Sequence, residues 1–261
     1  MGKVIAISNQ KGGVGKTTTA VNLGASLAVA EKRTLLVDFD PQGNASSGAG
    51  VENSEKTSYE FISGTASFPE AIRNTLVPFL DVLPADRRLA GAEVELVGQP
   101  EREHFLRKAL ATARSRYDFV IIDTPPSLGL LTLNALVASD SVLIPIQCEY
   151  YALEGLSQLL STIQLVQRGL NSHLRLEGVL LTMFDRRLRL SNQVAEEAID
   201  YFGDTVYEAK IPRNVRLSEA PSFGKPIILY DVECAGAKSY LDLAQEVIAA
   251  NQATKAAASG S

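Results

Sequence analysis

Short apolar, β-rich runs recur along this chain, with longer stretches of helical periodicity between them. The runs are KVIAIS (3–8), TLLVDFD (34–40), LDVLPA (80–85), FVIIDTPP (119–126), SVLIPIQ (141–147), GVLLTMF (178–184) and TVYEAKIP (205–212). Several are apolar throughout, the pattern of strands covered on both faces. Residues 17–30, 101–115, 153–169, 191–202 and 235–250 carry amphipathic helical spacing. The alternation predicts an α/β fold, a mostly parallel sheet flanked by helices on both faces with right-handed crossovers. In such sheets ligands bind beyond the carboxyl ends of the strands, so the residues just after each run are where chemistry is expected.

Composition narrows the picture. A chain of 261 residues can bury a large core, and no linker-like shift divides it, so residues 1–250 read as one domain. The end, NQATKAAASGS (251–261), is small and polar and reads as a frayed, disordered tail. Hydrophobic residues at 46% and charged residues at 21% fit a globular protein. No apolar run approaches the roughly 18–20 residues that span a bilayer, and the apolar stretch in MGKVIAIS is too short for a signal peptide, so a cytoplasmic protein is expected. Cys148 and Cys234 are far apart and lack paired spacing with His, which indicates two reduced thiols rather than a zinc site or a disulfide. A net charge of −5 and a pI of about 5.2 argue against a broadly basic surface, so any contact with DNA has to be local.

The stretch NQKGGVGKTT (9–18) follows the first run and precedes a helical pattern. It nearly matches the phosphate-loop pattern G-x-x-x-x-G-K-[ST], with Gln10 where the first glycine belongs. Gly12, Gly13 and Gly15 let successive N–H groups turn toward one anion, and the helix that follows adds partial positive charge. A G-x-G-x-x-G dinucleotide loop is excluded because Thr18 occupies its last position. Lys16 can reach terminal phosphates, and the Thr17 hydroxyl can join a magnesium shell. Lys11 is an extra lysine that the pattern does not call for, and taken alone it reads as a solvated charge. Asp38 and Asp40, two apart at the end of the second run, project from one face toward the presumed phosphate site, although Asp-Pro is also ordinary turn chemistry. Asp123 ends FVIID, a weak signal alone and a strong one beside a phosphate loop, where it would hold magnesium through a water that also meets Thr17.

KGGVGKTT resembles the deviant phosphate loop of the ParA/MinD ATPases. VDFDPQGNAS, IIDTPPSLGLLTLNAL, PIQCEYYALEGL and IPRNVRLSEAPSFGKP resemble its chromosomal ParA (Soj) branch, so the likeness covers nearly the whole chain. The resemblance implies an ATPase that binds ATP and Mg2+, with Lys11, Gly12, Gly13, Val14, Gly15, Lys16, Thr17 and Thr18 around the phosphates. It implies that Lys11 reaches across an ATP-bound homodimer to the nucleotide of the other subunit. Asp40 becomes the residue that orients the attacking water, Asp38 a support for the loop and indirectly for magnesium, and Pro212 and Asn214 neighbours of the adenine. Without the resemblance, IPRN would read as a turn.

FDRRLRL and PRNVR place arginines in an otherwise acidic chain, and a solvated charged face is their plainest reading. The resemblance instead assigns sequence-independent contacts with double-stranded DNA to Arg187 and Arg216, available in strength only to a dimer. It also implies a ParB-type partner, a nucleoid-associated location and a role in chromosome or plasmid segregation. Because the first run starts at Lys3, no preceding DNA-binding domain is expected. Other classes use this loop. A MinD-like membrane-associated ATPase would need a basic amphipathic end, whereas YLDLAQEVIAANQATKAAASGS carries Lys255 as its only cation, so no membrane partner is expected. An iron-protein reductase would need cluster cysteines that Cys148 and Cys234 do not match. An ATP-dependent metabolic enzyme would respond to a metabolite rather than to DNA.

Overall fold

The computed structural model describes residues 2–149 and 156–259, with the side chains of 254, 255 and 257–259 outside the description. Residues 150–155, within PIQCEYYALEGL, therefore lie outside the described residues, as does the side chain of Lys255. The strands are β1 (Lys3–Ile7), β2 (Thr34–Asp38), β3 (Arg73–Asn74), β4 (Leu80–Leu83), β5 (Phe119–Asp123), β6 (Ser141–Gln147) and β7 (Arg175–Thr182). They form one sheet in the order β3-β4-β2-β5-β1-β6-β7, parallel except for the β3–β4 pair at one edge. The mostly parallel α/β sheet is thus as the periodicity predicts.

Side chains alternate across the sheet because the strand period is two. Ile5, Ile7, Leu36, Ile121, Leu143 and Leu180 face a core shared with the helices Lys16–Val29 and Ala235–Ser259. Their neighbours Val4, Leu35, Val37, Val120 and Ile122 face a second core with the helices Ser58–Ile62, Phe105–Leu110 and Leu130–Ala138. A third cluster, beneath β6 and β7, is closed by the helices Leu156–Gly169 and Arg189–Phe202. Burial on both faces is why these strands read as unbroken apolar runs.

Two expectations are corrected. The run 205–212 is not a strand. It meets β7 and its extension through isolated parallel bridges, Val179↔Val206 and Phe184↔Pro212, and through the Ile211 N–H, which donates to the Leu181 carbonyl at 2.9 Å. Between them the N–H groups of Glu208 and Ala209 donate to the Glu246 carboxylate, at 3.0 and 2.8 Å, instead of to the sheet. The segment 101–115 is not one helix but the 3-10 turn Arg102–His104, the helix Phe105–Leu110 and a second 3-10 turn, Arg114–Arg116. The last helix spans Ala235–Ser259, and its Ala, Gln and Lys residues are strong helix formers. Among the described residues no helix is long and apolar enough to cross a membrane.

Candidate nucleotide site

β1 lies inside the sheet between β5 and β6, and its carboxyl end runs directly into the glycine loop. Gly13 and Gly15 have φ of +75° and +86°, left-handed values that admit glycine without strain. A methyl placed on Gly12 or Gly13 would meet no atom within 4 Å, so that side of the loop is open. The loop is held from behind. Asn9 Nδ2 donates to the Pro145 carbonyl at 2.8 Å while its Oδ1 accepts the Lys11 N–H at 3.0 Å, and the Thr182 hydroxyl donates to the Val14 carbonyl at 2.9 Å. No side chain caps the helix Lys16–Val29, which leaves its first-turn N–H groups for an anion.

The two lysines differ. Lys16 is 7% exposed, and its ammonium donates to the Lys11 carbonyl at 3.1 Å. Burial lowers its pKa, against which the carboxylates of Asp123 and Asp40 pull upward. The half-buried Lys11 gives its backbone to the loop, while its ammonium has no partner among the described residues.

The carboxylates differ as much. Asp38 and Asp123 are register partners on β2 and β5, both fully buried. Asp38 accepts the Ser46 N–H at 2.7 Å, the Ser46 hydroxyl at 2.6 Å and the Asp40 N–H at 3.2 Å. Burial pushes its pKa up to about 6 although these donors pull it down. Neither oxygen of Asp123 closes a hydrogen bond among the described residues. Burial, reinforced by Asp38, holds its pKa well above the carboxylate range, while the nearby Thr17 hydroxyl and Lys16 pull the other way. A buried carboxylate with no donor fits a hard cation or its water, with Thr17 beside it as a second oxygen. Asp40, largely buried, accepts the Gln42 N–H at 3.0 Å. The structure therefore brings Lys16, Thr17, Asp40 and Asp123 to one place and turns Asp38 toward Ser46.

A pocket of about 540 Å³ adjoins the loop at Gly15 and Thr18. Pro212 and Asn214 line it, as do Thr182, Met183, Leu217, Ser218, Pro221 and Tyr240, which pattern reasoning missed. Met183 was in principle findable because it follows β7, and its φ of +51° is a strained value that a loop at a ligand site sustains. Nothing in the sequence marks Tyr240, which enters from the last helix. Asn214 Oδ1 caps the helix Val215–Glu219 by accepting the Arg216 N–H at 2.8 Å.

The Phe184↔Pro212 bridge sets the starts of the two arginine stretches side by side. The guanidinium groups of Arg187 and Arg216 are exposed but engaged. Arg187, with its side chain 83% exposed, donates to Asp185 at 2.9 and 2.7 Å. Arg216, 54% exposed, pairs with Glu219 at 3.0 Å and Asp231 at 3.5 Å.

An open glycine cradle at a helix start, a base-sized pocket beside it and an unsatisfied carboxylate on the adjacent strand define a P-loop nucleotide-binding protein. Residues 2–176 match the family model described as AAA domain. The chain is 62% identical over 251 residues to the sporulation initiation inhibitor protein Soj of Bacillus subtilis, covering 95% of this chain and 99% of that protein. It is 60% identical over 250 residues to the chromosome partitioning protein ParA of Myxococcus xanthus, covering 95% and 88%. A solved structure of cobyrinic acid a,c-diamide synthase from Mycobacterium smegmatis, with bound ATP analog and magnesium, aligns with a TM-score of 0.85 at 37% identity, over 95% of this chain and 94% of that one. The chain belongs to the ParA/Soj family of chromosome-partitioning ATPases.

Proposed function

We propose that this chain is an ATP-operated dimerisation switch that binds DNA without sequence preference as the ATP dimer and acts with a ParB-type protein in segregation. Residues 1–250 form its ATPase unit, and the dimer resides on the nucleoid. The observation that carries this reading is the division between the lysines. Lys16 is buried and folded into its own loop, whereas the ammonium of the half-buried Lys11 has no partner among the described residues. One serves the phosphates of its own subunit and the other reaches those of a second subunit.

The chain's residues supply positioning and charge, which is most of what phosphoryl transfer asks of a protein. The N–H groups of residues 12–18 hold the phosphates of ATP, and Lys16 exchanges its bond to the Lys11 carbonyl for one to phosphate. Thr17 would hold Mg2+ directly and Asp123 through a water, and the bound ion would neutralise charge on the phosphates. Asp40 orients the attacking water, and the pocket at Pro212 and Asn214 takes the adenine. A dimer presents Arg187 and Arg216 twice, which turns weak phosphate contacts into useful affinity. A metabolic enzyme on the same fold is the weaker reading, because the higher identity lies with the partition proteins.

The test compares Lys16→Ala with Lys11→Ala in ATP binding and in sedimentation with and without ATP. Lys16→Ala should weaken ATP binding roughly ten- to a hundredfold, the worth of a charge-assisted contact. Lys11→Ala should bind ATP within about threefold of wild type yet stay monomeric. Equal loss of binding in both variants overturns the cross-subunit role.

A further inference from the structure

Two buried serines tie the end of β2 to the end of β4. Ser58 makes a main-chain tie, its hydroxyl reaching the carbonyls of Asp38 at 2.6 Å and Pro84 at 3.0 Å. Ser46 makes a tie of another kind. Its N–H and its hydroxyl both donate to one oxygen of the Asp38 carboxylate, and the same Oγ accepts the Ala85 N–H at 2.9 Å. The other Asp38 oxygen accepts the Asp40 N–H. A continuous chain of hydrogen bonds therefore runs from the Ala85 amide through Ser46 and Asp38 to the backbone of Asp40. A hydroxyl has one proton and two lone pairs, and here the proton goes to a carboxylate while an amide takes a lone pair, which fixes the rotor. At 2.6 Å the hydroxyl–carboxylate contact lies in the short, charge-assisted range.

We infer that Ser46 is a positioning residue for ATP hydrolysis: its hydroxyl bridges the Ala85 amide and the Asp38 carboxylate, and through Asp38 it sets the backbone from which Asp40 aims its side chain. The inference rests on the reading of Asp40 as the group that orients water. Asp38 then acts through this network rather than on the phosphates, because both of its oxygens are engaged by Ser46 and by the Asp40 N–H. A misplacement of about 1 Å at such a group costs roughly a hundredfold in rate, so a single lost hydroxyl is enough to matter.

The test uses an isosteric pair, Ser46→Thr and Ser46→Val, with Ser46→Ala, Ser58→Ala and Asp40→Ala beside them. ATP turnover is measured over a range of ATP in the presence of DNA, together with thermal melting. Ser46→Thr keeps the hydroxyl and should retain most of kcat. Ser46→Val, of the same shape, should lose roughly tenfold or more in kcat with KM within about threefold, as expected when positioning and not binding is removed. Ser58→Ala breaks the main-chain tie without touching the carboxylate, and should lower the melting temperature while leaving kcat near wild type. Equal kcat in the Thr and Val variants overturns the inference, as does a Ser58→Ala loss as deep as that of Ser46→Val. Near-normal turnover in Asp40→Ala is a separate failure, that of the water-orienting reading itself. If Ser46→Ala does not fold, the Thr and Val comparison still decides, since both carry the same added methyl.

Discussion

The ends of β2 and β5 look alike in sequence and behave as opposites. Each closes an apolar strand with an aspartate, and the two aspartates sit opposite one another in the sheet, both without exposure to solvent. Asp38 has three donors on its carboxylate, whereas Asp123 has the Thr17 hydroxyl nearby but closes no hydrogen bond among the described residues. Burial raises both pKa values, but the donors hold Asp38 to about 6 while Asp123 goes well beyond the carboxylate range. A satisfied buried charge is part of the fold, whereas an unsatisfied one is a cost that the fold carries for a ligand. The lysines repeat the lesson, with Lys16 engaged in its own loop and Lys11 left open.

The sharpest way to break this contrast is Asp123→Asn. ATP hydrolysis should fall at least a hundredfold, because the carboxylate proposed to hold the cation through a water is gone. Without nucleotide or Mg2+ the same variant should melt a few degrees higher than wild type, since a bare buried charge has been removed. The sign with pH follows from the raised pKa. The ionised form weighs against folding, so the wild-type penalty is absent below the ordinary aspartate value near 3.9 and grows as pH rises above it. The gain in melting temperature should therefore be larger at pH 8 than at pH 5. A variant less stable than wild type at pH 8 would mean that Asp123 is satisfied within the protein.

Asp38→Asn should change stability in the other direction. One arm of the amide becomes a donor, and it sets an N–H against the N–H of either Ser46 or Asp40, which then loses its acceptor. The orphaned donor costs about 2 kcal/mol, a fall of roughly 4–8 °C in melting temperature for a chain of this size. Opposite signs for the two Asn variants at one pH are the result the contrast requires. A rise in both would make the hydrogen bonds on Asp38 incidental.

Where backbone rules alone fix the geometry, the residues showed it. Gly13 and Gly15 after a central strand predicted the cradle because few backbones other than glycine turn that way, and the six runs that became strands were legible because parallel strands must be apolar on both faces. Leu130–Ala138 went unseen as a helix because LLTLNALVA is apolar nearly all round and shows no stripe. The edge strand Arg73–Asn74 is too short to carry a period. The run 205–212 misled for a tertiary reason. Its alternation suits a strand, but a carboxylate thirty-odd residues later in the chain captures two of its amides. The difference between Asp38 and Asp123 was equally hidden, since it depends on Ser46 folding back onto one strand end and on no residue doing so at the other.

Glu246→Ala probes that capture, with a smaller effect. It leaves the N–H groups of Glu208 and Ala209 without their acceptor, which costs about 1 kcal/mol because part of this segment reaches water. The segment leads into Ile211 and Pro212 at the pocket, so the KM for ATP should rise about twofold to fivefold while kcat holds. Titration of ATP hydrolysis beside a melting curve checks both. An unchanged KM would separate the pocket from the strand-like segment that leads to it.

The arginines put the contrast to its mildest test, because they are partnered and yet are proposed to bind. Arg187 is held by Asp185, and Arg216 by Glu219 and Asp231, so each would have to share its guanidinium with a DNA phosphate. A guanidinium has five donors in a fixed fork, enough to keep a carboxylate and still meet a phosphate. Replacing either arginine with Ala removes two contacts per dimer, and the log-log salt slope of DNA binding should shrink by about 2. The loss should be alike on unrelated sequences, since phosphate contacts position without reading bases. Asp185→Asn should act the other way. It removes a negative charge beside Arg187 and keeps the side-chain shape, so affinity at low salt should rise about twofold or threefold while the slope stays near wild type. Binding of the ATP-loaded protein to two unrelated duplexes across a salt series, with sedimentation of the same samples, separates the outcomes. If the arginine variants keep the wild-type slope, engaged charges on this protein are structural without exception. If they lose the dimer instead, the arginines belong to the contact between subunits, and the DNA surface lies elsewhere.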